Sequence, residues 1–201
     1  GYDSTTVKDT LDSLLYEAIN ITSFTSNVEP VQEIGTNINS ITLTWKLSQP
    51  ATEQFINDVP VTGSSFTFDT PFNSNKSFTL KVNDGTTIKS KTIDIKFMNN
   101  IYYGVSSSTT YDSNFIESLT KELRQATEMN FRVNAGKDEY ICFAYPSHYG
   151  EAVFSVGGFE GGFREVAKFY YTNESGYNEQ YIVYCSDNPC LGDTRVKVIY
   201  V

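Results

Sequence analysis

Apolar residues recur along this chain in two rhythms, and the change from one to the other marks its parts. Between Val7 and Ile21 the apolar positions Leu11, Leu14, Ala18 and Ile21 fall three, four and three residues apart, the seam spacing of a coiled coil. Thr6 followed by Asp9 has the form of a capping box, in which the hydroxyl and the carboxylate each take one unpaired helix amide. The spacing predicts a helix over 7–21, and a helix of about three turns is marginal alone in water. It therefore needs a partner surface, either the rest of its own chain or further copies of itself. Leu11, Leu14 and Ala18 are the candidate oligomer seam.

After residue 20 the period drops to two. Ile41, Leu43, Trp45 and Leu47 alternate with Thr and Lys; Phe66 and Phe68, then Phe78, Leu80 and Val82, then Ile93, Ile95 and Phe97 repeat the pattern. Each stretch reads as a half-buried strand. Asn83, Asp84 and Gly85 supply a tight hairpin between the last two, and Pro30, Pro50, Pro60 and Pro71 punctuate the loops. About seven short strands around one Trp predict an immunoglobulin- or fibronectin-like β-sandwich over 20–98. No cysteine pair falls inside it.

Residues 99–201 form a second β-rich unit. Tyr102 to Val105 reads as an entry strand, and Asp112 can cap a helix with Phe115, Ile116, Leu119 and Leu123 on one face. Strand-like segments then follow through Phe131 to Val133, Tyr140 to Tyr145, Ala152 to Val156, Phe163 to Tyr171, Gln180 to Cys185 and Arg195 to Tyr200. The fold class is thus mainly β: an N-terminal helix in 1–19, an Ig/fibronectin-like sandwich, and a second sandwich or jelly-roll-like domain with one helix.

Charge and composition narrow the chemistry. Of 201 residues, 15 are Lys or Arg and 24 Asp or Glu, a net charge of −9, which disfavours nucleic acid and anionic membranes as partners. No apolar run approaches the roughly 20 residues that span a bilayer. Gly1 stands where a Met is expected, which fits either a residue left by expression or a native chain that extends further N-terminally. Three cysteines, Cys142, Cys185 and Cys190, do not make a secreted disulfide framework and suit a reducing site of synthesis. Free thiols and a Cys185–Cys190 bridge both remain open.

No catalytic constellation emerges. His148, the only histidine, sits beside Ser147 in a turn-like stretch, where a serine and an imidazole seldom reach the geometry of a nucleophile and its base. The cysteines and His148 lack metal-site spacing, and no cofactor or metal is expected. The glycines of Gly157, Gly158, Phe159, Glu160, Gly161, Gly162 and Phe163 lack the Lys and Ser/Thr of a phosphate loop. They read instead as a strand connection that uses positive φ to bring two backbones close, anchored by Phe159 and Phe163. Glu160 and Glu165 are one of many carboxylate pairs in an acidic chain, a weak signal for a glycosidase dyad. Aromatics crowd the region after Tyr140. They either fill the core or floor a glycan groove, and the candidate binding loops are those of Tyr145, His148 and Tyr149, of Phe159 and Glu160, and of Asn173, Tyr177 and Asn178.

Several pieces in series carry a family likeness: TVKDTLDSLLY (Thr6 to Tyr16), EIGTNINSITLTWKLSQP (Glu33 to Pro50), LKVNDG (Leu80 to Gly85), FMNNIYYGV (Phe97 to Val105), and VGGFEGGF with YTNESGYNEQYIVYCS in Val156 to Ser186. In that order the chain resembles structural proteins of tailed bacteriophages, of the tail-fibre, appendage or baseplate kind. The resemblance implies a non-enzymatic virion component, homotrimeric, made in the reducing cytoplasm of a bacterial host. Its partners would be other virion subunits and, at a tip, a host surface glycan or protein. It transfers no receptor-binding residue. The alternative is a bacterial surface or secreted adhesin-like carbohydrate-binding module, and an enzyme such as a capsule depolymerase comes third.

Overall fold

The computed structural model describes residues 7, 9–11, 15–189 and 191–201. It is mainly β and divides into two units, one of residues 1–30 and 37–96 and one of residues 31–36 and 97–201.

In the first unit β1 (Ile21–Ser26), β3 (Ile41–Leu47) and β6 (Ser65–Phe68) form one antiparallel sheet in the order β1-β3-β6. The facing sheet sets β8 (Ile88–Met98), β7 (Lys76–Asn83), β4 (Glu53–Ile56) and β5 (Val59–Pro60) side by side. The result is the expected Ig/fibronectin-like sandwich. Ile41, Leu43 and Trp45 take the inward phase of β3 and are at most 1% exposed, with Phe78, Leu80 and Val82 of β7 buried beside them. The Trp45 indole N–H donates to Gln54 Oε1 at 2.7 Å, so the one polar atom of the largest core side chain is satisfied. The β7–β8 hairpin turns where the Asn-Asp-Gly signal lies, with Gly85 at φ +94°.

The helix does not run as far as its spacing predicts. Val7, Asp9, Thr10, Leu11 and Leu15 are helical, but residues 16–20 are not, and Ile21 begins a strand. Of the expected seam, Leu11 is helical, Leu14 lies outside the described residues, and Ala18 is an exposed residue of the non-helical connection. The reason is tertiary. Ile19 is fully buried, its N–H and the Tyr16 hydroxyl both donate to Asp84 Oδ2 at 3.0 and 2.7 Å, and Ile21 onward pairs with β3. Three-residue spacing cannot compete with a sheet ladder and a shared carboxylate.

The second unit contains the tail end of β8, beyond which β2 (Val31–Glu33) lies as its neighbour. Its larger sheet has the order β10-β9-β12-β16-β15, from β9 (Asn100–Ser106), β10 (Thr120–Leu123), β12 (Tyr140–Pro146), β15 (Phe163–Thr172) and β16 (Asn178–Ser186). The smaller sheet has the order β11-β17-β13-β14, from β11 (Met129–Ala135), β13 (Ala152–Val156), β14 (Phe159–Glu160) and β17 (Gly192–Tyr200). Phe131, Ile141, Phe143, Tyr145, Phe154, Val196 and Val198 fill the space between the sheets. A second cluster covers the other face of the larger sheet, where Phe115 and Ile116 of α1 (Ser113–Glu117) meet Tyr102, Ala144, Tyr171, Tyr181 and Val183. Strand β12 is therefore buried on both faces, which is why it reads as an unbroken apolar run and not an alternation.

Asp112 caps α1 as expected, its Oδ1 accepting from the Phe115 N–H at 3.0 Å. The helix is shorter than its apolar face suggests. Leu123 belongs to β10, which pairs with β9 from Thr120↔Tyr103 to Leu123↔Asn100. The expectation for the cysteines is also corrected: Cys142 on β12 and Cys185 on β16 are directly opposite in register and form a disulfide buried beneath α1. A pairing set by register between residues 43 apart leaves no trace in local spacing. Cys190 lies outside the described residues.

Candidate functional site

Strand direction sorts the three candidate loops to opposite ends of the second unit. Strand β12 ends where Pro146 pairs with Tyr181, and the β15–β16 hairpin closes where Thr172 pairs with Asn178. The Tyr181 hydroxyl donates to the Asn100 carbonyl at 2.7 Å, at the start of β9. The turns at 147–150 and 173–177 thus share the end at which the chain enters this unit. The far end carries the β13–β14 hairpin and the link from β16 to β17, joined where the Asp187 N–H donates to the Gly162 carbonyl at 2.9 Å.

At the entry end the candidate side chains are mostly committed to the fold. Tyr145 is on β12, not in a loop, and is fully buried. Its hydroxyl donates to the Gly150 carbonyl and accepts from the Ala152 N–H, both at 3.1 Å, and burial pushes its pKa well above the ordinary tyrosine value. It locks the turn that returns the chain into β13. The Tyr149 hydroxyl donates to the Arg124 carbonyl at 2.5 Å. His148, in a single 3-10 turn, keeps half its side chain exposed and approaches Glu179 at 3.5 Å.

The 173–178 loop is likewise folded onto its own chain. Asn173 donates from Nδ2 to the Ile34 carbonyl and accepts at Oδ1 from the Tyr177 N–H, both at 2.8 Å. Asn178 Nδ2 donates to Thr172 Oγ1 at 2.8 Å. Gly35, at φ +95°, passes so close that a Cβ there would lie 2.8 Å from Tyr177 Cβ. Asn173 thus ties the loop to the 31–36 segment, while Tyr177 and Asn178 stay exposed.

The far end differs. Gly157 and Gly158, at φ +60° and +87°, make the two-residue turn that β13–β14 requires, a geometry that fits the twist of a hairpin and excludes most side chains. No other atom crowds either glycine, so the turn uses them for φ alone, and the expected close approach of two backbones is absent there. Phe163 is an anchor as expected, stacked on Phe154 with centroids 4.4 Å apart. Phe159 is not: it is 83% exposed. Glu160 is also exposed, beside it on β14. Glu160 and Glu165 lie on strands of different sheets, which does not assemble a dyad.

Two hollows flank this hairpin. One, of about 240 Å³, is lined by Phe159, Glu160, Phe163, Asn188 and Leu191 among others. The other, of about 250 Å³, lies on the outer face of the smaller sheet between Asn130, Ser155, Gly157, Gly158, Arg195 and Lys197. Inward Val196 and Val198 force Arg195 and Lys197 outward on β17. Lys197 is directly opposite Asn130 on one side and Ser155 on the other. The sequence reading missed this row, because only the alternation on β17 was visible in it and the flanking residues come from strands distant in sequence. A larger hollow of about 610 Å³ in the first unit is lined by Trp45, Gln49, Gln54 and Ser64, but its amides are already bonded, Gln54 to Trp45 and Gln49 to the Glu17 carbonyl at 2.8 Å.

Among the described residues no group of three or more His, Cys, Asp or Glu side chains is placed to hold a metal ion, and no helix is long and apolar enough to cross a membrane. No protein-family model matches the chain, and no curated protein or solved structure matches it either.

Proposed function

We propose that this chain is a non-enzymatic structural and attachment component of a tailed-phage virion, of the tail-fibre, appendage or baseplate kind, and that it assembles as a homotrimer. The observation that carries the reading is at the N-terminus. Val7, Leu11 and Leu15 are helical, four residues apart, and 57%, 56% and 71% exposed. Side chains at that spacing share one helix face, and three exposed large apolar residues in a row cost free energy that burial against symmetry-related copies would recover. The register differs from the Leu11, Leu14, Ala18 seam of the sequence reading, but the role is the same. In this reading the first sandwich is a spacer, and the second offers its far-end hairpin, with Phe159, to a host surface glycan or protein. Made in a bacterial cytoplasm, the chain would complete its Cys142–Cys185 bond after release into oxidising surroundings.

That disulfide is the one observation favouring a second reading, a secreted adhesin-like carbohydrate-binding module. Solution mass separates the two. Sedimentation equilibrium of the full chain should give three times the 22.6 kDa chain mass, and a Leu11→Asp/Leu15→Asp variant should give the chain mass with the β signal of its circular dichroism intact. A monomeric parent chain overturns the fibre reading and leaves the adhesin.

A further inference from the structure

The hollow on the outer face of the smaller sheet is lined by two cations, Arg195 and Lys197, on a chain whose net charge is −9. Four charged side chains from β11 and β17 face outward around it. Arg132 is paired with Asp193, and Lys197 Nζ approaches Glu128 Oε2 at 2.9 Å. Arg195 is directly opposite Arg132 in register, a cross-strand like-charge pair that is unfavourable, and no ion pair from Arg195 is recorded among the described residues. Lys197 is thus matched by Glu128, and Arg195 is the lining cation without a carboxylate partner among the described residues. Glu160, directly opposite Ser155 on β14, is a further exposed carboxylate on this face and lies outside the lining.

The uncharged groups have equally definite chemistry. Ser155 Oγ and the Asn130 side chain can each donate and accept, and the positive-φ Gly157–Gly158 turn forms part of the rim without side chains. The aliphatic stems of Arg195 and Lys197 and the glycine Cα atoms suit a lining that is mostly apolar. One lining cation without a carboxylate partner, neutral donors on two sides, and a mostly apolar lining of one-ring size describe a hydroxylated monoanion better than a dianion or an extended polyanion.

We propose that this hollow binds a sugar residue bearing a carboxylate, with Arg195 on the carboxylate, Lys197 bridging the carboxylate and the ring, and Ser155 and Asn130 on the hydroxyls. Only the source of the sugar, a host-surface glycan, rests on the attachment reading; the site stands on its own geometry. A net acidic body with one such cation would favour a sparsely charged glycan over a dense polyanion, because distant like charges repel the latter.

The test is titration of the ¹⁵N-labelled full chain with sodium glucuronate, glucose and inorganic phosphate, followed by amide shifts. Glucuronate should move the signals of Asn130, Ser155, Gly157, Gly158, Arg195 and Lys197, with an effect that weakens as salt is raised. Arg195→Gln and Lys197→Gln should each weaken binding by about tenfold, the scale of a hydrogen bond to a charged group, while Arg132→Gln should change it by less than about twofold. Arg195→Gln relieves the like-charge pair, so the variant should fold, which unchanged dispersion of the remaining signals would check. Equal shifts from glucose, tighter binding of phosphate than of glucuronate, or an unchanged glucuronate affinity in both Gln variants would each overturn the proposal. Because solution mass tests the fibre reading separately, either can fail without the other.

Discussion

The two sandwiches solve the same burial problem in different ways. In the first, each sheet has one face on a single core, and β3 alternates buried Ile41, Leu43 and Trp45 with Thr and Lys. In the second, the larger sheet is covered on both sides, by the smaller sheet and by α1, and β12 buries every residue from Ile141 to Pro146. One-sided burial writes a period of two into the sequence, and two-sided burial erases it. The second unit also has a covalent tie across β12 and β16, while the first is tied at its margin by one carboxylate: Asp84 accepts from the Thr86, Thr87 and Ile19 N–H groups and from Tyr16 and Gln49.

The sharpest way to break the comparison is to empty one core at a time. Trp45→Ala should destabilise the first unit by about 3–5 kcal/mol, and Phe143→Ala the second by a similar amount. Denaturation followed by near-ultraviolet circular dichroism, and in the Phe143→Ala chain by the emission of Trp45, should show each substitution moving one transition and sparing the other. Movement of both together would mean that the two units fold as one.

The covalent tie should matter next. Opening the Cys142–Cys185 bond with reductant, or replacing both residues with Ala, should cost the second unit about 2–4 kcal/mol through the freed denatured chain. The first unit, which contains no cysteine, should keep its midpoint. An unchanged second transition under reductant would show that the two-sided core needs no covalent support.

The smallest effect belongs to Asp84. Its hydrogen bonds, that from the Thr87 N–H first and from Tyr16 next, hold its carboxyl well below the usual carboxylate range. A depressed folded pKa contributes stability that is fully present above the unfolded value of about 3.9 and is lost as pH falls through the folded one. The first unit should therefore lose stability below about pH 4, more steeply than an Asp84→Asn variant, in denaturation midpoints read from Trp45 emission. Parallel acid limbs in the two proteins would remove Asp84 from that role.

How much of this was legible follows from where each signal resides. Strands β3, β6, β7 and β8 of the first unit, the Asn-Asp-Gly turn and the Asp112 cap are local matters of side-chain period, φ and one hydrogen bond, so a single stretch of sequence carries them. The short strands β2, β4, β5, β10 and β14 were not legible, since two to four residues carry no period. Among the candidate loops, side-chain type was a poor guide: aromatics and amides suit binding and packing alike, and Tyr145 and Asn173 went to packing while Phe159 stayed in solvent.

By itself, then, the sequence determined a chain of β-sandwiches, an acidic surface and a helical start, because these depend on residue type and on neighbours a few positions away. Only the tertiary structure decided where the helix stops, which cysteines meet, which loops face solvent, and that Asn130, Ser155 and Lys197 share a row. Each of those is a matter of register between strands far apart in the chain. Register is set by the whole core at once, since slipping a strand by one residue turns its entire buried face outward.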